Sequence, residues 1–149
     1  ELDYLVVDCP PGTGDEPISI IQTLKWVDGA VIVTTPQDIA ILDVKKSIDF
    51  IQKLNVPILG IVENMKFFRC PHCHKITTIF QGNQLEKMIF EYSLDLLAEL
   101  EIDPAIATSA DQGKPYIYFN NRQPSAKALM EATLKIIEKV ERSKESAHK

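Results

Sequence analysis

The sequence predicts an α/β fold: a mostly parallel sheet flanked by helices, with a small cysteine-containing hairpin set off from it. Three observations carry this expectation. Apolar runs recur at Leu2–Val7, Gly29–Thr35 and Ile58–Glu63. Between them lie segments whose apolar residues share one face at helical spacing, joined by short connections. Strands alternating with amphipathic helices in this way build parallel sheets covered on both faces. The third observation is an interruption: Lys66–Phe80 places two cysteines between aromatic and β-branched residues and follows neither period.

Leu2–Val7 reads as a strand buried on both faces, because its apolar run does not alternate. Asp15 is placed to cap a helix with Pro17 in its first turn, and Ile18, Ile21 and Leu24 then share a face. Gly29–Thr35 is the second strand. Asp38 is placed to cap the next helix, in which Ile41, Val44, Ile48 and Ile51 form a stripe. That helix is expected to stop near Asn55, because Pro57 disfavours the helical conformation in the residue before it. Ile58–Glu63 is the third strand and Lys66–Phe80 the hairpin-like excursion. Further on, Gly82–Tyr92 reads as a helix, Leu94–Leu100 as a strand and Pro104–Ala110 as a short helix. Pro124–Val140 is an amphipathic helix with Ala126, Leu129, Met130, Thr133, Ile136, Ile137 and Val140 on one side. The charged tail 143–149 is expected to fray, leaving residues 1–142 as one domain with its excursion at 66–80.

Bulk properties narrow the function. The 149 residues are 45% hydrophobic and 25% charged, as in an ordinary globular domain. A formal charge of −5 gives no broad electrostatic footprint for nucleic acid. No apolar stretch approaches the roughly 18 residues that a membrane-spanning helix needs, so neither nucleic acid nor membrane is expected as a partner. The three cysteines, Cys9, Cys70 and Cys73, are an odd count with one tight pair. That is a poor disulfide framework, and a reducing cytoplasm with the pair on a metal is expected.

The first chemical signal is Leu5-Val6-Val7-Asp8-Cys9-Pro10-Pro11-Gly12-Thr13-Gly14-Asp15. An apolar run ends in an acid at the edge where open α/β sheets bind ligands. Pro10 and Pro11 stiffen the loop and remove two backbone donors. Gly12 and Gly14 let the backbone approach an oxyanion closely. In phosphate-binding α/β proteins an acid here meets a nucleotide's magnesium ion. No G-x-x-x-x-G-K-[ST] loop, whose backbone N–H groups and lysine hold phosphates, occurs in the sequence. The chain starts at Glu1 without an initiator methionine. The expectation is a carboxyl-terminal part of a longer protein with its phosphate loop upstream.

The second signal is Cys70-Pro71-His72-Cys73-His74. Two thiolates at C-x-x-C spacing can grip one metal centre, and a closed tetrahedral site needs four ligands. Either His72 and His74 complete a mononuclear zinc site, or two chains each supply a pair. Four thiolates suit a [4Fe–4S] cluster or zinc. C-x-x-C-H is also the attachment signature of c-type haem, but export context is missing. A thioredoxin-like pair needs a helix start after a strand, which the flanks do not offer. An inert pair is the remaining alternative, and Cys9 reads as a packing residue.

With both signals in this order the chain resembles the Mrp family of P-loop ATPases, iron–sulfur cluster carriers related to the MinD and ParA proteins. The resemblance runs from Asp3 to about Thr133. It rests on DYLVVDCPPGTGD, GAVIVTTPQDIAILDVKKSIDF, NVPILGIVENM, CPHC, IDPAI and DQGKPY. It implies a MinD/ParA-like P-loop NTPase fold. Asp8 would be the Walker B acid holding Mg2+ through water. Pro10, Pro11, Gly12, Thr13 and Gly14 would be the switch loop at the γ-phosphate. Asn64 would hydrogen-bond the adenine edge of ATP, an amide having both donor and acceptor. Cys70 and Cys73 would bind a [4Fe–4S] cluster across a homodimer, for delivery to apo iron–sulfur proteins in the cytoplasm. The intact protein would hydrolyse ATP to ADP and phosphate, and this part alone would be inactive. The alternatives are a non-enzymatic zinc-binding or dimerisation module and a MinD/ParA-like partitioning ATPase. Against the family pattern, His74 stands where glycine is common, Gln81-Gly82-Asn83 is all that remains of a glycine-rich stretch, and Leu100-Glu101-Ile102-Asp103 replaces Ile-Pro-Leu-Asp.

Overall fold

The computed structural model describes residues 2–10, 14–24 and 26–147. Its elements are α1 (Asp15–Leu24), β1 (Ala30–Thr34), α2 (Asp38–Lys53), β2 (Ile58–Arg69), β3 (Ile76–Thr77), α3 (Gln84–Glu91), β4 (Leu96–Glu101), α4 (Pro104–Asp111), α5 (Tyr116–Phe119) and α6 (Pro124–Ala147). β2 is the middle strand, parallel to β1 on one side and to β4 on the other. The two-residue β3 pairs antiparallel with the far end of β2 and makes the hairpin.

Alternation along β2 sends its side chains to two cores. On one face Ile32 and Ile61 meet Ile41, Val44 and Ile48 of α2 with Leu85 and Met88 of α3. On the other, Val62, Ala98 and Leu100 meet Ala132 of α6, with Leu129 and Ile136 packed against them. The helical stripe of α2 therefore does what its spacing predicts. Gly60 is required where β2 and β4 close up: a Cβ there would stand 2.6 Å from the Asp95 carbonyl and 2.7 Å from the Leu97 side chain. Lys135 of α6 donates to the Leu97 carbonyl at 2.9 Å, covering a polar group of β4.

Several elements differ from the sequence reading. Leu2–Val7 is not a strand: it runs outside the sheet with Leu5 62% and Val6 91% exposed. A strand buried on both faces needs neighbours on both edges, and among the described residues none pairs with it. Tyr4 ties the segment to α6 instead, its hydroxyl donating to Glu141 at 2.8 Å. Asp15 and Asp38 are the first helical residues of α1 and α2. The capping position of α2 is Gln37, and Asp38 acts through its charge at the helix N-terminus. β2 is twice as long as Ile58–Glu63, continuing through the expected start of the excursion to Arg69. α5 was not expected. The tail does not fray at Ser143: α6 continues through residue 147, with Ser146 Oγ bonded to the Arg142 carbonyl and Arg142 paired with Glu138 at 2.5 Å. Residues 148–149 lie outside the described residues.

Candidate functional site

β2 delivers two of the sequence-predicted groups. Glu63, its last residue paired with β1, stands between Thr34 and Glu99. Beyond it the strand bulges: Glu63 pairs with Glu99 and Phe67 with Glu101, four steps of β2 against two of β4. Asn64 opens this bulge at the carboxyl edge of the sheet. Its Oδ1 accepts the Met65 N–H at 3.0 Å, and Met65 has φ 58°.

The cysteine turn grows directly from the end of β2. Cys70 N–H donates to the Lys75 carbonyl at 3.0 Å, and His74 N–H donates to the Cys70 carbonyl at 2.9 Å. His74 takes φ 58°, so a histidine occupies the left-handed position where glycine is more comfortable. Both thiols are free; Cys70 is half-buried and Cys73 exposed. The Cys70 thiol is held below its ordinary value by the backbone N–H of Cys73, then by that of His72, then by the Cys73 side chain. Donors converging on one sulfur favour its thiolate, the form that ligates metals. Among the described residues no three His, Cys, Asp or Glu side chains converge as a metal site. In this conformation His72 and His74 are exposed and do not join the two thiols.

The other residues expected at the nucleotide are not gathered with these. Asp8 and Pro10 are exposed in the unpaired leading segment, and Gly14 is exposed just before α1. Pro11, Gly12 and Thr13 lie outside the described residues.

Two polar clusters escaped the sequence reading. In the bulge, Lys66 Nζ donates to Glu63 at 2.8 Å and to Glu99, and Arg69 Nε donates to Glu101 at 3.0 Å. Both Glu63 and Glu101 are buried. Burial pulls the Lys66 amine down, but its hydrogen bonds and charges from Glu63 and Glu99 outweigh this and leave it raised. After β4, Asp103 Oδ1 caps α4 by accepting the Ala105 N–H at 2.8 Å, while Oδ2 accepts the Tyr116 hydroxyl at 2.5 Å. Burial first, and then the Asp103 hydrogen bond and charge, push the Tyr116 phenol up to about 12. The Asp-Pro pair could have signalled the cap; nothing in the sequence joins it to Tyr116.

Comparison with known proteins identifies the lineage. Residues 1–139 match the family model described as ParA, NUBPL iron-transfer P-loop NTPase. The chain belongs to this family. An iron–sulfur cluster carrier protein of Methanocaldococcus jannaschii is 42% identical over 145 residues, 97% of this chain and 49% of that protein. The chain thus spans about half the length of the curated relatives it matches. Among solved structures, a nucleotide-binding protein of Archaeoglobus fulgidus in complex with ADP superposes with a TM-score of 0.69 at 37% identity, over 85% of this chain and 50% of that one. The MinD cell division ATPase of Pyrococcus furiosus superposes with a TM-score of 0.70 at 24% identity, over 91% of this chain and 52% of that one, and shows the shared fold.

Proposed function

We propose that this chain is the part of an ATP-dependent iron–sulfur carrier that holds the cargo. The observation that carries the reading is the cysteine turn: two free thiols on one tight turn, closed by the His74 N–H on the Cys70 carbonyl, at the end of the central strand. One turn offers half the thiolates that a cubane cluster takes. A [4Fe–4S] cluster would therefore lie between Cys70 and Cys73 of two chains, in a homodimer that passes it to apo-proteins in the cytoplasm. Zinc is the competing metal at the same sulfurs. Among the described residues no helix is long and apolar enough to cross a membrane.

ATP would act as a switch in the longer protein. Asp8 would orient the magnesium shell, Pro10–Gly14 would follow the γ-phosphate, and Asn64 would meet adenine. Charge-assisted contacts to phosphate are worth roughly 1.5–3 kcal/mol each. This chain alone lacks the lysine and backbone donors of a phosphate loop, so it should bind Mg-ATP weakly.

Anaerobic reconstitution tests the cargo. Iron and sulfide analysis should give about two irons per chain, with the cluster favouring a dimer. Cys70→Ser or Cys73→Ser should abolish iron binding. Cys9→Ser, His72→Ala and His74→Ala should leave it in place. Iron held by a strict monomer, or lost with either histidine, would refute the shared cluster. In the longer protein, Asp8→Asn should remove ATP hydrolysis with the fold intact; hydrolysis near the wild-type rate would refute the role of Asp8.

A further inference from the structure

Asn64 and Cys70 are carried by one strand and its immediate continuation, but the strand between them is not a regular rod. Two extra residues of β2 are looped out against β4. Met65 holds φ 58°, a conformation that costs a non-glycine residue energy and persists only where its surroundings enforce it. The surroundings here are ionic. Glu63 and Glu99 are lateral partners in the sheet, so two carboxylates stand side by side. Lys66 reaches back to both. Glu63 is buried, and without Lys66 its charge would be left unpaired, which a protein interior tolerates poorly. A second rung, Arg69 to the buried Glu101, closes the ladder one residue before Cys70.

We propose that Lys66 is a positioning residue that latches the bulge to β4, so that the Asn64 edge and the Cys70–Cys73 turn move as one body. A ligand that shifts Asn64 then shifts the cysteine turn, and the cargo is held or presented according to the nucleotide. The coupling rests on the reading above that Asn64 meets adenine; the latch itself rests on the ion pairs and the bulge. A purely structural lysine would stabilise the whole sheet without singling out the hairpin.

Amide hydrogen exchange separates these. In this chain Lys66→Met should speed exchange across residues 68–77 by at least about tenfold, with α2 changed by less than about threefold. Lys66→Arg should restore protection, and Glu99→Gln, which removes only the more exposed arm, should give a smaller change in the same place. Unchanged hairpin exchange in both Lys66→Met and Glu99→Gln, or equal acceleration in α2, overturns the latch. Glu99→Gln decides alone if Lys66→Met does not fold. In the longer protein, calorimetry reports Mg-ATP binding and exchange reports the hairpin. Wild type should bind and change its hairpin protection, whereas Lys66→Met should bind without that change. Absence of binding in the wild type refutes the nucleotide reading. Binding with no hairpin response in the wild type, or with the same response in Lys66→Met, refutes the coupling.

Discussion

Asp103 joins the start of α4 to the start of α5, and removing it should be expensive. In Asp103→Ala, α4 loses the acceptor of its Ala105 N–H, and loss of such a cap costs about 1 kcal/mol. The Tyr116 hydroxyl loses its carboxylate acceptor. Tyr116 is 9% exposed, so water reaches that hydroxyl poorly, Ser125 is its remaining polar neighbour, and losing a buried bond to a carboxylate costs about 1–3 kcal/mol. The expected loss is about 2–4 kcal/mol. Tyr116→Phe removes the donor while leaving the cap intact, and should cost about 1–2 kcal/mol. The double variant should cost less than the two together, by at least about 0.5 kcal/mol, because each single change already breaks the shared bond. Urea unfolding followed by far-ultraviolet circular dichroism measures all four free energies. A loss below about 1 kcal/mol in Asp103→Ala, or strict additivity, would refute the account of Asp103 as both cap and acceptor.

The same pair sets an alkaline dependence. The Tyr116 phenol is raised from its ordinary 10.0 to about 12 in the folded chain, so its contribution to stability is complete below pH 10 and lost as the pH climbs from there towards 12. Denaturation midpoints across that window should fall less steeply in Tyr116→Phe than in wild type; parallel curves would contradict the shift. Gly82→Ala should destabilise by about 1–3 kcal/mol by overpacking, since its Cβ would stand 2.1 Å from the Pro36 carbonyl oxygen. A melting temperature equal to that of wild type would show that the loops after β1 and before α3 are not in fixed contact.

α2, α3, α6 and the three long strands were legible because burial there follows local periods. The α2 stripe at Ile41, Val44 and Ile48 is buried as its spacing requires, and Asp103-Pro104 marks the start of α4. Leu2–Val7 was misread because an apolar run states a need for neighbours without supplying them. The same shortfall shows at Val33, 62% exposed on β1 beside the buried Val62, and in α1, none of whose residues is buried. The end of α6 was misread in the opposite sense. Its charges looked like a solvated tail, yet Glu138–Arg142 and Glu141–Lys144 lie at helical spacing, and such pairs support a helix of this length.

The candidate site was legible as chemistry and not as geometry. C-x-x-C spacing identifies two thiols on one turn, but it says nothing of how that turn closes. His74 turns left-handed and its N–H closes back on the Cys70 carbonyl, a conformation that no residue type announces. The bulge is hidden for a stronger reason. Read as a strand of period two, Glu63 and Lys66 point to opposite faces and cannot pair. They meet at 2.8 Å because the strand breaks its own period between them. The buried charge and the broken period therefore explain each other: without the looped-out residues Lys66 would face away from Glu63, and without Lys66 the bulge would leave two adjacent carboxylates uncompensated. That mutual dependence sets a two-residue register break of the central strand against β4 beside Asn64 and ahead of Cys70, where a small change in backbone would be felt at both.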